Sequence, residues 1–207
     1  MPTISHMPLS DTTRLLQLAR KRASISRQEV TAAGIHTQAL SRLVRAGALE
    51  RTARGRYRLP GRPVSEHHGL AIVASKVPQG VICLLSALSF HGLGTQLPSE
   101  VWVALDRRAH RPVLKFPRMR VVRFGGRALT QGVEEHRVEG QGVRVYSVSK
   151  TIADVFKYRN KIGLEVALEA LREAWRARRF TMDEILTYAR ICRVERVMRP
   201  YLEALAA

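Results

Sequence analysis

Ser26-Arg-Gln-Glu-Val-Thr-Ala-Ala-Gly-Ile-His-Thr-Gln-Ala-Leu-Ser-Arg-Leu-Val-Arg-Ala-Gly47 decides the fold of the first third of the chain. Ser26 followed three residues later by Glu29 is a capping box, so a helix is expected over 27–33, and Gly34 stops it by supplying the left-handed residue after its end. The chain then turns through Gly34-Ile35-His36. A second helix is expected over 37–46, because Leu40, Leu43 and Val44 recur at i, i+3 and i+4 and Gly47 closes the pattern. Upstream, residues 12–22 place Leu15, Leu16, Leu18 and Ala19 on one side of a further helix, with Asp11 or Ser10 as the candidate cap. Downstream, strands at 48–52 and 56–59 flank Ala53-Arg54-Gly55, a two-stranded hairpin with Gly55 at the position that needs positive φ. Three helices and a small hairpin make a winged helix-turn-helix, expected over residues 1–60.

Pro60-Gly-Arg-Pro-Val64 cannot continue a strand ladder or a helix, so residues 61–64 are expected to be a linker. From 65 to 207 the pattern alternates. Helices are expected at about 65–77 and 86–91, and strands at 81–85, 101–105, 119–124, 134–138 and 143–148, with Gly140-Gln-Gly142 as the turn between the last two. Ser149 is the expected cap of a helical tail. Within it Leu164, Leu168, Leu171 and Trp175 form an apolar stripe, Glu165, Glu169, Arg172, Glu173 and Arg176 lie mostly off it, and helices at 182–192 and 194–205 follow. The expected class is α+β: an N-terminal winged helix-turn-helix, then a mixed α/β domain with a helical C-terminal tail.

Charge narrows the function. The 207 residues carry 35 Lys+Arg against 17 Asp+Glu, a net +18, and such a field attracts polyanions. Basicity is concentrated early: 11 basic against 3 acidic residues in 1–60, 13 against 6 in 61–150, and 11 against 8 in 151–207. Arg outnumbers Lys, which suits bidentate phosphate and guanine contacts and equally fits a GC-rich genome. No apolar run is long enough to span a bilayer and the N-terminus lacks the pattern of a secretory signal, so a cytoplasmic protein without membrane partners is expected. Cys83 and Cys192 are far apart and fit neither a disulfide framework nor a zinc site. His6, His36, His67, His68, His91, His110 and His136 show no ligand spacing, and no Gly-rich phosphate loop or nucleophile elbow is present, so no metal, cofactor or enzymatic activity is expected.

The helix at 37–46 carries the candidate site. A helix fits the major groove, where Gln38 pairs with adenine and Arg42 with guanine, while Thr37, Ser41 and Arg45 reach phosphates or bases. Arg27 joins them from the preceding helix. The wing adds Arg51, Arg54, Arg56 and Arg58, with Arg54 at a tip narrow enough for the minor groove. Arg107, Arg108, Arg111, Lys115, Arg118, Arg120, Arg123 and Arg127 form a second basic run with no acidic residue between Asp106 and Glu134. That run either extends a DNA footprint, holds a nucleic acid of its own, or is a solvated face. Asp154 and Lys157 suggest a nuclease pair, but a structural reading is preferred: Ile152, Val155 and Phe156 face a core and Asp154 bonds a neighbouring basic group or amide.

These residues also carry a family resemblance. Ser26-Arg-Gln-Glu-Val30, Leu40-Ser-Arg-Leu-Val-Arg-Ala-Gly-Ala-Leu-Glu-Arg51 and Arg54-Gly-Arg-Tyr-Arg-Leu-Pro60 resemble the N-terminal winged helix of AbiEi-type antitoxins. Val81-Ile-Cys-Leu-Leu-Ser-Ala-Leu-Ser-Phe-His-Gly-Leu93, the stretch 133–146 and Lys150-Thr-Ile-Ala-Asp-Val-Phe-Lys-Tyr-Arg-Asn-Lys161 resemble their C-terminal domain. The resemblance implies the antitoxin of a type IV toxin–antitoxin, or abortive phage infection, system. Such proteins repress their own operon through inverted repeats in double-stranded DNA and oppose a nucleotidyltransferase-type toxin without a stable complex. Two alternatives stay open: a general transcriptional regulator whose C-terminal domain senses a ligand or partner, and a metal-dependent nuclease using Asp106 or Asp154.

Overall fold

Helix α1 (Asp11–Lys21) starts where the Ser10 hydroxyl accepts the amide of Thr13, which identifies Ser10 as the cap. The computed structural model describes residues 10–22, 24–53, 55–61 and 65–206. They divide into two compact units, one holding the residues up to His68 with Glu139–Gln141, the other Gly69–Val138 with Gly142–Ala207. Of the expected linker, residues 62–64 lie outside the described residues.

In the first unit β1 (Ile25–Ser26) leads into α2 (Arg27–Ala32), followed by α3 (Gln38–Arg45), β2 (Glu50–Ala53) and β3 (Arg56–Arg58). Gly34, Gly47 and Gly55 all have positive φ, at the two helix stops and the hairpin turn where the sequence requires them. The wing has three strands rather than the expected two, in the order β1-β3-β2, with Ile25 opposite Tyr57. The reason lies at the cap: Ser26 has φ −93° and ψ 158°, so the chain entering α2 is already extended and pairs with β3. A two-residue strand has no period to read. Leu15, Ala19, Ile25, Val30, Ile35, Ala39, Leu40, Leu43 and Leu49 close the core, each larger side chain contributing about 1.5–3 kcal/mol on burial.

The second unit runs α4 (His68–Lys76), β4 (Val81–Ile82), α5 (Leu84–His91), β5 (Val101–Asp106), β6 (Met119–Phe124), α6 (Arg127–Thr130), β7 (Val133–Val138), β8 (Gln141–Tyr146) and then helices only. These are α7 (Val148–Lys157), α8 (Arg159–Ile162), α9 (Leu164–Arg176), α10 (Met182–Cys192) and α11 (Glu195–Ala206). The sheet order is β6-β5-β4-β8-β7, with β4 antiparallel to β5 and parallel to β8, and β5 parallel to β6. Side chains alternate along β5: Val101, Val103 and Leu105 pack with Leu70, Val73 and Val77 of the α4 side, while Trp102 and Ala104 join the core of α5, α7, α9, α10 and α11. A mixed sheet thus lies between a single helix and a helical layer.

Four expectations are corrected here. The strand expected over 81–85 stops at Ile82, because Leu84, fully buried with φ 49°, turns the chain straight into α5; a short apolar run reads equally as a buried strand or a buried helix. The last hairpin turns at Glu139-Gly140, whose φ values of 53° and 79° are those of a two-residue type I′ turn. Ser147 caps α7 by accepting the Lys150 amide, and Ser149 is buried inside the helix. The buried face of α9 is Val166, Ala167, Ala170, Leu171 and Ala174, with Leu164, Leu168 and Trp175 only partly buried. Three of the five buried residues are small alanines, and Leu164, Leu168 and Trp175 pack at the edge of the same core.

Candidate nucleic-acid interface

Helix α3 is amphipathic in the sense the sequence predicts. Ala39, Leu40 and Leu43 are buried, while Gln38, Ser41, Arg42 and Arg45 are exposed, and their i, i+3, i+4, i+7 spacing puts them on one face. Thr37 is half-buried at the N-cap position and makes no side-chain cap bond. The helix is held from both ends. The His36 amide donates to Asp11 Oδ2 at 3.0 Å, Arg14 Nη2 donates to the Ala33 carbonyl at 2.8 Å, and the amides of Ala48 and Leu49 both donate to the Leu43 carbonyl.

The capping box is complete: Ser26 Oγ accepts the Glu29 amide at 3.1 Å and Glu29 Oε2 accepts the Ser26 amide at 2.6 Å. Burial pushes the Glu29 carboxyl up, but the Ser26 bonds and the charges of Arg22 and Arg56 outweigh it and hold the group below its ordinary range. Arg22 Nη1 also pairs with Glu29 Oε1. Arg27 is exposed, and its amide donates to the Gly55 carbonyl at 3.1 Å, joining α2 to the hairpin turn. Arg51 is exposed, whereas Arg56 is half-buried and donates to Ser24 Oγ, and Arg58 pairs with Glu50. Arg54, the expected wing tip, lies outside the described residues.

In the second unit the basic run takes several separate roles. Arg107, Arg108, Arg111, Lys115, Arg118, Arg120 and Arg127 are exposed. Arg120 pairs with Glu100 at 3.1 Å and lies 4.7 Å over the Trp102 ring, a cation–π contact. Arg123 is half-buried and donates to the carbonyls of Asp106 and Ala109, both at 2.7 Å. Arg107, Arg123 and Arg127 border a cavity of about 860 Å³ that is also lined by Lys157, Arg190 and Arg193. Arg190 and Arg193 escape a reading of the sequence because they stand far along the chain, where Asp183, Glu184 and Glu195 dilute the local charge, and Lys157 draws notice there only beside Asp154.

Asp154 is 1% exposed and pairs with Lys150, itself 0% exposed. Cys192 Sγ donates to Asp154 Oδ1 at 3.1 Å, and the Lys150 ammonium lies 4.0 Å from the centre of the Tyr146 ring and 4.8 Å from that of Phe124. Burial pushes the Asp154 carboxyl up against the opposing pull of Lys150, and pushes the Cys192 thiol up to about 12. Asp106 is exposed, and its Oδ1 accepts the Arg108 amide at 2.9 Å. Among the described residues no three His, Cys, Asp or Glu side chains gather as a metal site requires.

The first unit is therefore a winged helix-turn-helix with a polar and basic face on its third helix. Residues 14–60 match the model of a family described as "Transcriptional regulator, AbiEi antitoxin". The fold as a whole is similar to the crystal structure of the RV2827C protein from Mycobacterium tuberculosis, with a TM-score of 0.52 at 12% identity over 89% of this chain and 72% of that one. No curated protein matches the chain. No helix among the described residues is long and apolar enough to cross a membrane.

Proposed function

We propose that the chain is a sequence-specific DNA-binding autorepressor and the antitoxin of a type IV toxin–antitoxin system, acting in the cytoplasm without enzymatic activity and opposing a nucleotidyltransferase-type toxin. The observation that carries the DNA-binding part is the exposed row Gln38, Ser41, Arg42 and Arg45 on the helix after the turn. In a winged helix-turn-helix this helix enters the major groove, and phosphate contacts from Arg27 and Arg51 set its register. The antitoxin part is supported by the family match over residues 14–60, and the toxin follows from the resemblance carried by 81–93, 133–146 and 150–161 as well as the N-terminal stretches.

Binding to the chain's own promoter and to a random duplex tests the assignment. Arg42→Ala is expected to cost about 1–3 kcal/mol on the promoter and to relax preference at one base pair, whereas Arg45→Ala weakens both duplexes alike. Equal losses on both duplexes for Arg42→Ala would remove the base-reading role. Antitoxin activity is assigned to residues 61–207, so an α3 variant that no longer represses is expected still to protect cells from the toxin. Loss of both activities in a folded variant would tie protection to DNA binding instead.

One observation favours a second reading, a regulator whose second unit senses a ligand: the cavity lined by six cations. A nuclease built on Asp154 is disfavoured by burial, since its carboxylate is paired with Lys150 and out of reach of a phosphodiester.

A further inference from the structure

The cavity of about 860 Å³ belongs wholly to the second unit. Its cations arrive from five elements: Arg107 just after β5, Arg123 on β6, Arg127 on α6, Lys157 at the end of α7, and Arg190 and Arg193 at the end of α10. Among the described residues no carboxylate lines it. Among the described residues Arg190 pairs with Glu195 at 3.3 Å, while Arg107, Arg127, Lys157 and Arg193 form no ion pair. Arg193 also holds a left-handed φ of 59° at the end of α10, where Gly or Asn is usual. The ends of α7 and α10 bring roughly half a negative charge each, far less than the positive charge gathered around them. Six like charges held around one concavity repel each other, and an anion relieves that repulsion.

Size and shape indicate the anion. The volume falls within the roughly 300–1,000 Å³ of small-molecule sites, and the cations converge on this one concavity from five elements. Tyr158 supplies a half-buried aromatic wall, and burial keeps its phenol neutral, with a pKa pushed up to about 12. We propose that this cavity binds a small polyphosphate ligand of nucleoside triphosphate size, its phosphate chain held by Arg107, Arg127, Lys157 and Arg193. Binding depends on the second unit alone and stands or falls separately from operator recognition.

Calorimetric titration of the full chain with ATP and with inorganic triphosphate tests this. Both are expected to bind and to compete, more weakly as salt rises. The Arg107→Gln/Lys157→Gln/Arg193→Gln variant is expected to weaken both by about tenfold or more with a melting temperature no lower than the parent's, since all three side chains are exposed and their removal relieves repulsion. The Lys115→Gln/Arg118→Gln variant, with both residues outside the cavity lining, is expected to bind as the parent does. Tighter binding of ATP than of triphosphate assigns the nucleoside to the Tyr158 wall, whereas equal binding leaves the phosphate chain as the recognised part. The proposal is overturned if neither anion binds at about 1 mM, if the triple variant binds as the parent does, or if the two variants lose affinity equally. It is also overturned if the triple variant loses affinity for random duplex while neither small anion binds, for the cavity is then part of a nucleic-acid surface.

Discussion

At the scale of single residues, Glu29 and His91 tie the two units to different pH ranges. Burial lowers His91 below its ordinary 6.5 by more than its bond to the Tyr146 carbonyl raises it, so the neutral ring donates Nε2–H to that carbonyl at 2.7 Å. A depressed pKa means that the stabilisation is present above pH 6.5 and is lost as pH falls through the lower native value. Glu29 is held below 4.5, as is Glu139, where burial is outweighed by bonds from His68 and Ser65. Their contributions are present above pH 4.5 and fade only below it. Hydrogen exchange along an acid titration is therefore expected to weaken the second unit first, and His91→Gln to flatten that early step; simultaneous loss in both units would refute the assignment. Asp154 works within the core: Asp154→Ala leaves the buried Lys150 ammonium without its partner and is expected to cost about 3–5 kcal/mol. Replacing both by apolar residues of similar volume, Lys150→Met with Asp154→Leu, is expected to recover most of that in chemical denaturation. Metal-dependent DNA cleavage by the parent that vanishes in a still-folded Asp154→Ala would count against a purely structural role.

Elements are set by how closely their backbones approach. Gly132, between α6 and β7, has φ 74°, and a Cβ there would lie 2.8 Å from Lys150 Cβ and 2.9 Å from Tyr188 Cε1. Gly132→Ala therefore meets both a left-handed backbone and atoms of α7 and α10, and is expected to cost about 2 kcal/mol or more, measured as a fall in denaturation midpoint with unchanged slope. A midpoint like the parent's would mean that α7 and α10 shift freely, contrary to their dense burial. The stripe on α9 was misplaced from sequence. Hydrophobicity alone ranks Leu164 and Leu168 above Ala167 and Ala170, but the small alanines are the more deeply buried, with the leucines packed at the edge of the same core. By contrast α2 was legible residue by residue, because a capping box and a terminal glycine act within one turn of chain.

Across the whole molecule, two units with separate cores are expected to divide the work. The fragment ending at His68 closes its core on few side chains, so it is expected to be marginally stable while keeping weak operator preference through α3. The full chain is expected to bind DNA more tightly. If Arg111, Lys115 and Arg118 touch phosphates, its log K against log salt is steeper than the fragment's by about 0.9 per contact, and neutralising them removes the excess without altering base preference. Equal slopes for the two proteins would show those exposed cations to be solvated only.

The winged helix-turn-helix, the polar and basic face of α3, the alternating pattern of the second unit and the strong positive charge are all legible in local chemistry. Caps, turn glycines and apolar periods are written within a few neighbouring residues, and charge is a sum. Packing settled the third strand of the wing, the turn at Glu139-Gly140, the burial of the Lys150–Asp154 pair and the company that Arg107, Arg123 and Arg127 keep. The strand and the cavity depend on which distant segments the fold brings together: Ile25 reaches Tyr57, and Arg107 shares a cavity with Arg193; the Lys150–Asp154 pair is four residues apart in one helix, and what packing adds is its burial. Spacing along the chain carries no trace of such meetings, because they are fixed by packing across the core.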